Sequence, residues 1–175
     1  RDKFELCYLD ISSGKLVKVT INIENSKSEK EAALPFIFFR DSKNNSCFLA
    51  SDKLYKFDAS NNTFNSYAHL DASPDIISTF DGAVYFQQAI YVSLHYSNLL
   101  KIDSETGIST LIKLPPSGEK DKIVEINALK IGKSNSIIVS TSTSGMFSIN
   151  PTSVQVSPIA FNETQRNFKD LSNIT

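Results

Sequence analysis

The sequence predicts an all-β chain built of β-propeller blades, about three and a half four-stranded antiparallel sheets forming an incomplete arc of a larger propeller. Three observations carry this. One short phrase recurs four times at near-constant spacing. Short β-branched and aromatic runs bounded by turn formers fill the space between its copies. No segment sustains the 3.6-residue apolar period of a helix, with Ser26 to Leu34 and Asn162 to Ser172 as the weak exceptions.

The phrase is clearest at Leu99-Leu100-Lys101-Ile102-Asp103, with Gly107 four residues on. It recurs as Leu54 to Asp58 with Asn62, as Leu6 to Asp10 with Gly14, and in worn form as Met146 to Asn150. The anchors Asp10, Asp58, Asp103 and Asn150 lie 48, 45 and 47 residues apart. Positions one, three and four before each anchor are apolar, whereas Tyr8, Lys56, Lys101 and Ser148 hold the position two before. That pattern suits a strand sandwiched between neighbours. The aspartate accepts backbone N–H groups to start a turn. Glycine or asparagine then takes the left-handed conformation that closes the hairpin. The fourth copy has no glycine after Asn150, so a turn of different detail is expected there.

Taken in order, the first copy offers its third strand and a fourth, Lys15 to Ile23, with no inner strands before them. The second adds Phe36 to Phe39 and Cys47 to Ala50 ahead of its anchor and Thr63 to Leu70 behind it. For the third, Ile76 to Phe80 with Ala83 to Phe86, then Ala89 to Leu94, precede the anchor and Ile108 to Leu114 follows it. The fourth has Val124 to Ile131, Ile137 to Ser140 and Gln155 to Phe161. Four strands every ~46 residues is the period of propeller blades. A β-sandwich would not need one hairpin phrase at constant period. The repeats run approximately 4–34, 35–71, 75–115 and 123–161, with 162–175 leading into a next blade. Such an arc leaves sheet edges and a blade face open. The remaining blades of a longer chain, or a second copy in a homodimer, are expected to complete it; a closed four-bladed ring is the lesser alternative.

Composition narrows function. A net charge of −1 over 175 residues gives no general attraction to nucleic acid or anionic membranes. No run of ~18 apolar residues is present, so no membrane contact is expected of this segment. The chain starts without methionine or a signal sequence and is expected to be a mature or excised segment. Cys7 and Cys47 fall in predicted strands and are expected to be buried apolar side chains, a disulfide being the alternative. Four glycosylation acceptor patterns, such as Asn44-Asn45-Ser46, are expected by chance in a chain this rich in Asn, Ser and Thr.

Chemistry is sparse. His69 and His95 lie on different repeats, and no metal-ligand spacing, nucleophile elbow or phosphate-cradling glycine loop occurs. Neither metal, cofactor nor catalytic residue is expected, and Asp10, Asp58 and Asp103 read as turn formers. In an up-and-down meander, second-to-third-strand loops and blade connectors share one face. The connectors vary in length, which is where recognition is usually built. On that face His95, Tyr96 and Asn98 suit a sugar, stacking on its ring and bonding its hydroxyls. The bland alternative is a solvated loop with Tyr96 over a blade edge.

The segment Ile138 to Asn150 resembles the two-component-regulator propeller repeat, approximately Trp-Ile-Gly-Thr, a short loop, Gly-Leu, two variable residues, an aromatic and Asp. Tyr91 to Asp103 fits the same template, and Phe48 to Asp58 fits with a loop two residues shorter. Phe48, Tyr91 and Ile138 stand where that family has tryptophan; Ala50, Ser93 and Ser140 hold its small-residue position. The absence of tryptophan and of any Gly-Gly pair sets aside WD, quinoprotein, sialidase and kelch repeats. The resemblance implies a periplasmic, non-catalytic sensing segment of a hybrid two-component regulator that binds an oligosaccharide and signals to a histidine kinase. A free-standing periplasmic or secreted binding propeller is the alternative, and a propeller lyase or glycosidase ranks below both.

Overall fold

The computed structural model of the chain describes residues 6–22, 37–50, 52–72, 80–94, 98–116 and 125–160. The described residues are strands and turns without a helix. A first hairpin pairs β1 (Leu6–Asp10) with β2 (Lys15–Asn22). Three antiparallel meanders follow. Blade one is β3 (Ile37–Arg40), β4 (Ser46–Ala50), β5 (Lys53–Asp58) and β6 (Thr63–His69). Blade two is β7 (Phe80–Phe86), β8 (Ala89–Leu94), β9 (Asn98–Asp103) and β10 (Ser109–Lys113). Blade three is β11 (Ile126–Ile131), β12 (Ile137–Thr141), β13 (Met146–Ile149) and β14 (Val156–Pro158). The first strands are neighbours, β7 adjoining both β3 and β11, so the blades fan out from a shared inner side. This is a propeller arc. The two candidate helical stretches lie outside the described residues.

Apolar layers hold adjacent blades together. Cys47, Leu49 and Leu54 of blade one meet Ile90, Val92, Leu100 and Ile102 of blade two. Ala89, Tyr91 and Leu99 of blade two meet Ile137, Val139 and Ile149 of blade three. The second strands of blades one and two therefore bury both faces and show adjacent buried apolar residues, whereas β12 and β13 of blade three alternate buried with half-buried positions.

Several details differ from the sequence reading. The first hairpin does not stand apart as half a blade: Thr20, Ile21 and Asn22 pair in parallel with Thr63, Phe64 and Asn65, making one six-stranded sheet with blade one. The pairing covers the outer edge of β6, and Val19 and Ile21 gain a layer of Phe48, Tyr55 and Phe64. Secondly, Cys7 is exposed; only Cys47 is buried, and both thiols are free.

The third difference is register. Tyr91 sits opposite Lys101 and Ile138 opposite Ser148, but it is Cys47, not Phe48, that sits opposite Lys56. Matching Phe48 to the tryptophan position sets blade one a residue out of step with its ladder, and one residue reverses the face. Phe48 stacks on Tyr55, their centroids 4.7 Å apart, away from blade two. A small thiol is left where blade two has a tyrosine ring.

The anchor turns form as the residues dictate. Ser12 N donates to Asp10 Oδ1 at 3.0 Å, Ser60 N to Asp58 Oδ1 at 2.9 Å and Thr106 N to Asp103 Oδ1 at 2.8 Å. The residue four on is left-handed in every copy: Gly14 (φ 66°), Asn62 (φ 59°), Gly107 (φ 78°) and Val154 (φ 59°). The fourth turn is thus the same turn, closed by Val154 N donating to Asn150 O at 2.9 Å as Gly14 N does to Asp10 O. A β-branched residue there costs about 1–2 kcal/mol. Val154 offsets this by packing on the layer between blades two and three. Val154→Gly should therefore change stability by less than about 1 kcal/mol, the strain relief matching the lost packing. Val154→Ala loses packing and keeps the strain, so thermal unfolding should show it as the worse variant.

Candidate functional site

The β3–β4 turn of blade one is built around Asp41. Its Oδ1 accepts Lys43 N (3.0 Å) and Asn45 N (2.8 Å), while its Oδ2 accepts Asn45 Nδ2 (2.8 Å). Asn44 closes the turn at φ 64°, its N donating to Asp41 O. The carboxylate is 5% exposed and takes a fourth donor, Lys56 Nζ, at 2.9 Å. Burial pushes its pKa up, but the Asn45 and Lys56 hydrogen bonds outweigh that and hold it well below the usual carboxylate range. Lys56 is raised in turn, chiefly by its bond to Asp41, and its ammonium lies 4.9 Å from the Tyr67 ring centroid.

Tyr67 owes its position to an irregularity. Tyr55 pairs with Ser66 and Leu54 with Ala68, so Tyr67 is an extra residue in β6. Bulges re-aim side chains, and here the Tyr67 hydroxyl donates to Ser104 O, in the β9–β10 hairpin of blade two. Burial is the main cause that pushes this phenol's pKa far up, so it stays a donor. The opposite wall belongs to the same hairpin: Glu105 Oε1 accepts Ser42 Oγ at 2.6 Å.

Between these groups lies a cavity of about 200 Å³ lined by Asp41, Lys43, Lys56, Tyr67, Ser104 and Glu105. It sits at the joint of blades one and two. The next joint is filled instead: Tyr91 is fully buried, its hydroxyl 3.4 Å from Pro151 O, and Lys101 Nζ donates to the same carbonyl at 2.6 Å. Pro151 follows its anchor as Ser104 follows Asp103, so both joints cap the equivalent carbonyl. At the first joint the ring comes from β6, because Cys47 replaces Tyr91 in β4 and leaves the space. The acid is also particular to blade one. The corresponding loop of blade three begins with Gly132, whose N donates to Ser136 O, and blade two has a tight turn at Gln87 and Gln88.

Of the residues the sequence singled out, Asn98 opens β9 opposite Leu94, half-buried and outside this cavity. His95 and Tyr96 lie outside the described residues. Among the described residues no group of three His, Cys, Asp or Glu side chains comes together as a metal site requires, and no helix is long and apolar enough to cross a membrane.

The turn carboxylates set an acid limit. Asp10 is lowered to about 2 by hydrogen bonds from the Ser13 and Ser12 hydroxyls. Asp58 is lowered by Ser60 and Asp71 by Ser109, and Asp103 by Thr106 and neighbouring N–H groups against some burial. All four fall below the unfolded aspartate value of about 3.9. Their stabilisation is therefore complete above about pH 4 and is lost progressively as pH falls below it, for Asp10 down to about 2. Unfolding followed by circular dichroism should show its acid limb in that window, and Asp10→Asn should flatten the limb.

No family model matches the chain, and no curated protein matches it. Solved structures do. Over 91% of this chain it is similar to the extracellular domain of a protein from B. thetaiotaomicron described as a hybrid two-component system, with TM-score 0.55 and 12% identity. A second structure from that organism, described as the extracellular domain of a one-component system, gives TM-score 0.51 at 13% identity over the same share. A Bacteroides fragilis protein described as a 6-phosphogluconolactonase gives TM-score 0.51 at 10% identity over 89%. The chain spans about 20% of each B. thetaiotaomicron chain and 50% of the B. fragilis chain. At these identities the likeness is one of fold: the chain shares its propeller architecture with the extracellular domain described as that of a hybrid two-component system.

Proposed function

We propose that the chain is a non-catalytic sensing segment of the extracytoplasmic propeller of a hybrid two-component regulator, responding to a carbohydrate. The observation that carries this is the match of nearly the whole arc to the extracellular domain of such a system, of which it spans a fifth. The repeat pattern at Ile138 to Asn150, with its resemblance to the regulator propeller repeat, supports it independently. In this reading the partners are further blades of the parent chain, or a second copy, and an oligosaccharide. The location is periplasmic, with a secreted propeller as the alternative. His95, Tyr96 and Asn98 remain the proposed sugar contacts.

Calorimetric titration against a panel of oligosaccharides tests the ligand, and Tyr96→Ala tests the contact. Saturable binding weakened by Tyr96→Ala is the expected result. Silence across the panel would remove the carbohydrate. A second reading, an enzyme propeller, is favoured by the likeness to the protein described as a lactonase. Turnover of a sugar lactone by the chain would establish it in place of the first.

A further inference from the structure

We propose that the cavity between blades one and two is a binding site for a small hydroxylated carboxylate, a molecule of the sugar-acid class. The site is separate from the His95–Asn98 loop and would serve equally in a receptor or a free-standing propeller, so it does not rest on the reading above.

The inference comes from which valences the wall leaves open. Asp41 is spent: four donors already occupy its two oxygens. The Lys56 ammonium, 38% exposed, gives one of its three N–H groups to Asp41 and keeps two. Lys43 also lines the cavity, and its side chain is exposed and carries a second positive charge to this wall's residues. Against these, Glu105 has one oxygen engaged by Ser42 and the other open. The wall is therefore rich in charged donors, with one carboxylate acceptor.

A simple anion would satisfy the lysines but face Glu105. A neutral sugar would satisfy Glu105 but leave the ammonium donors without a charged acceptor. A ligand carrying a carboxylate beside hydroxyl groups answers both. Size agrees: at roughly 30 Å³ per liquid water the cavity holds about seven waters, the space of one ring with its substituents.

Glucuronate is the probe, with glucose and acetate as comparators, in calorimetric titrations of the chain. Glucuronate should bind at least tenfold more tightly than either comparator. Lys43→Met and Glu105→Gln change exposed side chains, so each should leave the unfolding midpoint in place while weakening glucuronate at least about tenfold, the loss expected for one charge-assisted hydrogen bond. Equal affinity for glucose would make the site a neutral-sugar site, and equal affinity for acetate a bare anion site; either overturns the proposal. So would the absence of glucuronate binding, or binding that neither variant weakens.

Discussion

Asp41→Ala should lower the stability of the chain by about 3 kcal/mol, the size expected when a buried, hydrogen-bonded charge loses its network. The substitution removes the acceptor of two backbone N–H groups, of Asn45 Nδ2 and of Lys56 Nζ at once. Lys56, partly exposed, keeps its hydration, so most of the cost falls on the turn and not on the ion pair. Asp41→Asn separates the two: it retains acceptor capacity but not charge, and about half the loss should remain. The pH dependence has a definite sign. A carboxyl held below its unfolded value contributes stability fully present above about pH 4 and lost as pH falls through its folded value. Lys56, raised by Asp41, acts at the other end, its contribution lost only as pH rises past its elevated value. Urea midpoints at pH 7 measure the first effect. A loss below about 1 kcal/mol for Asp41→Ala would show that the turn is held by its backbone bonds alone.

What the sequence made legible is what the repeat carries. Anchors at constant spacing, each accepting N–H groups from the following residues, specify a hairpin by local chemistry, and all four formed. Even the worn copy kept its turn, because Asn150 supplies the same acceptor as aspartate and packing holds Val154 in a conformation its side chain disfavours. Register was less legible. Phe48 and Cys47 are neighbours in an apolar run, and only the ladder decides which of them faces blade two. The cavity was not legible, for two reasons. Asp41 lies in a turn outside the repeated phrase, although its spacing to Asn44 and Asn45 echoes the anchors and marks a side-chain-capped turn. Tyr67 reaches Ser104 through a bulge, and nothing in Thr63 to His69 announces an extra residue. Sites made where two repeats touch depend on how they are set together, and a repeat read along the chain does not contain that.

Gly107→Ala should destabilise the chain by about 3 kcal/mol or more, whereas Gly14→Ala should cost only about 1 kcal/mol. The two glycines occupy the same position of the same turn, at φ 78° and 66°, so the conformational cost of an L-residue is nearly shared. Their surroundings differ. A Cβ on Gly14 would meet nothing within 4 Å, but one on Gly107 would stand 2.3 Å from His69 O and 3.0 Å from its carbonyl carbon, both backbone atoms. Backbone at the end of β6 cannot swing aside as a side chain can, so the β9–β10 hairpin must lift. Lifting it strains the bonds that join it to blade one: Tyr67 to Ser104 O, Ser42 to Glu105, and Ser109 N to Asp71 Oδ1 at 2.7 Å. The difference between the two variants in chemical denaturation, about 2 kcal/mol, measures what close approach of the blades contributes beyond the turn. Equal losses would mean that the hairpin is not seated on blade one in solution. The first joint of the arc, and the cavity it encloses, would then have no fixed geometry.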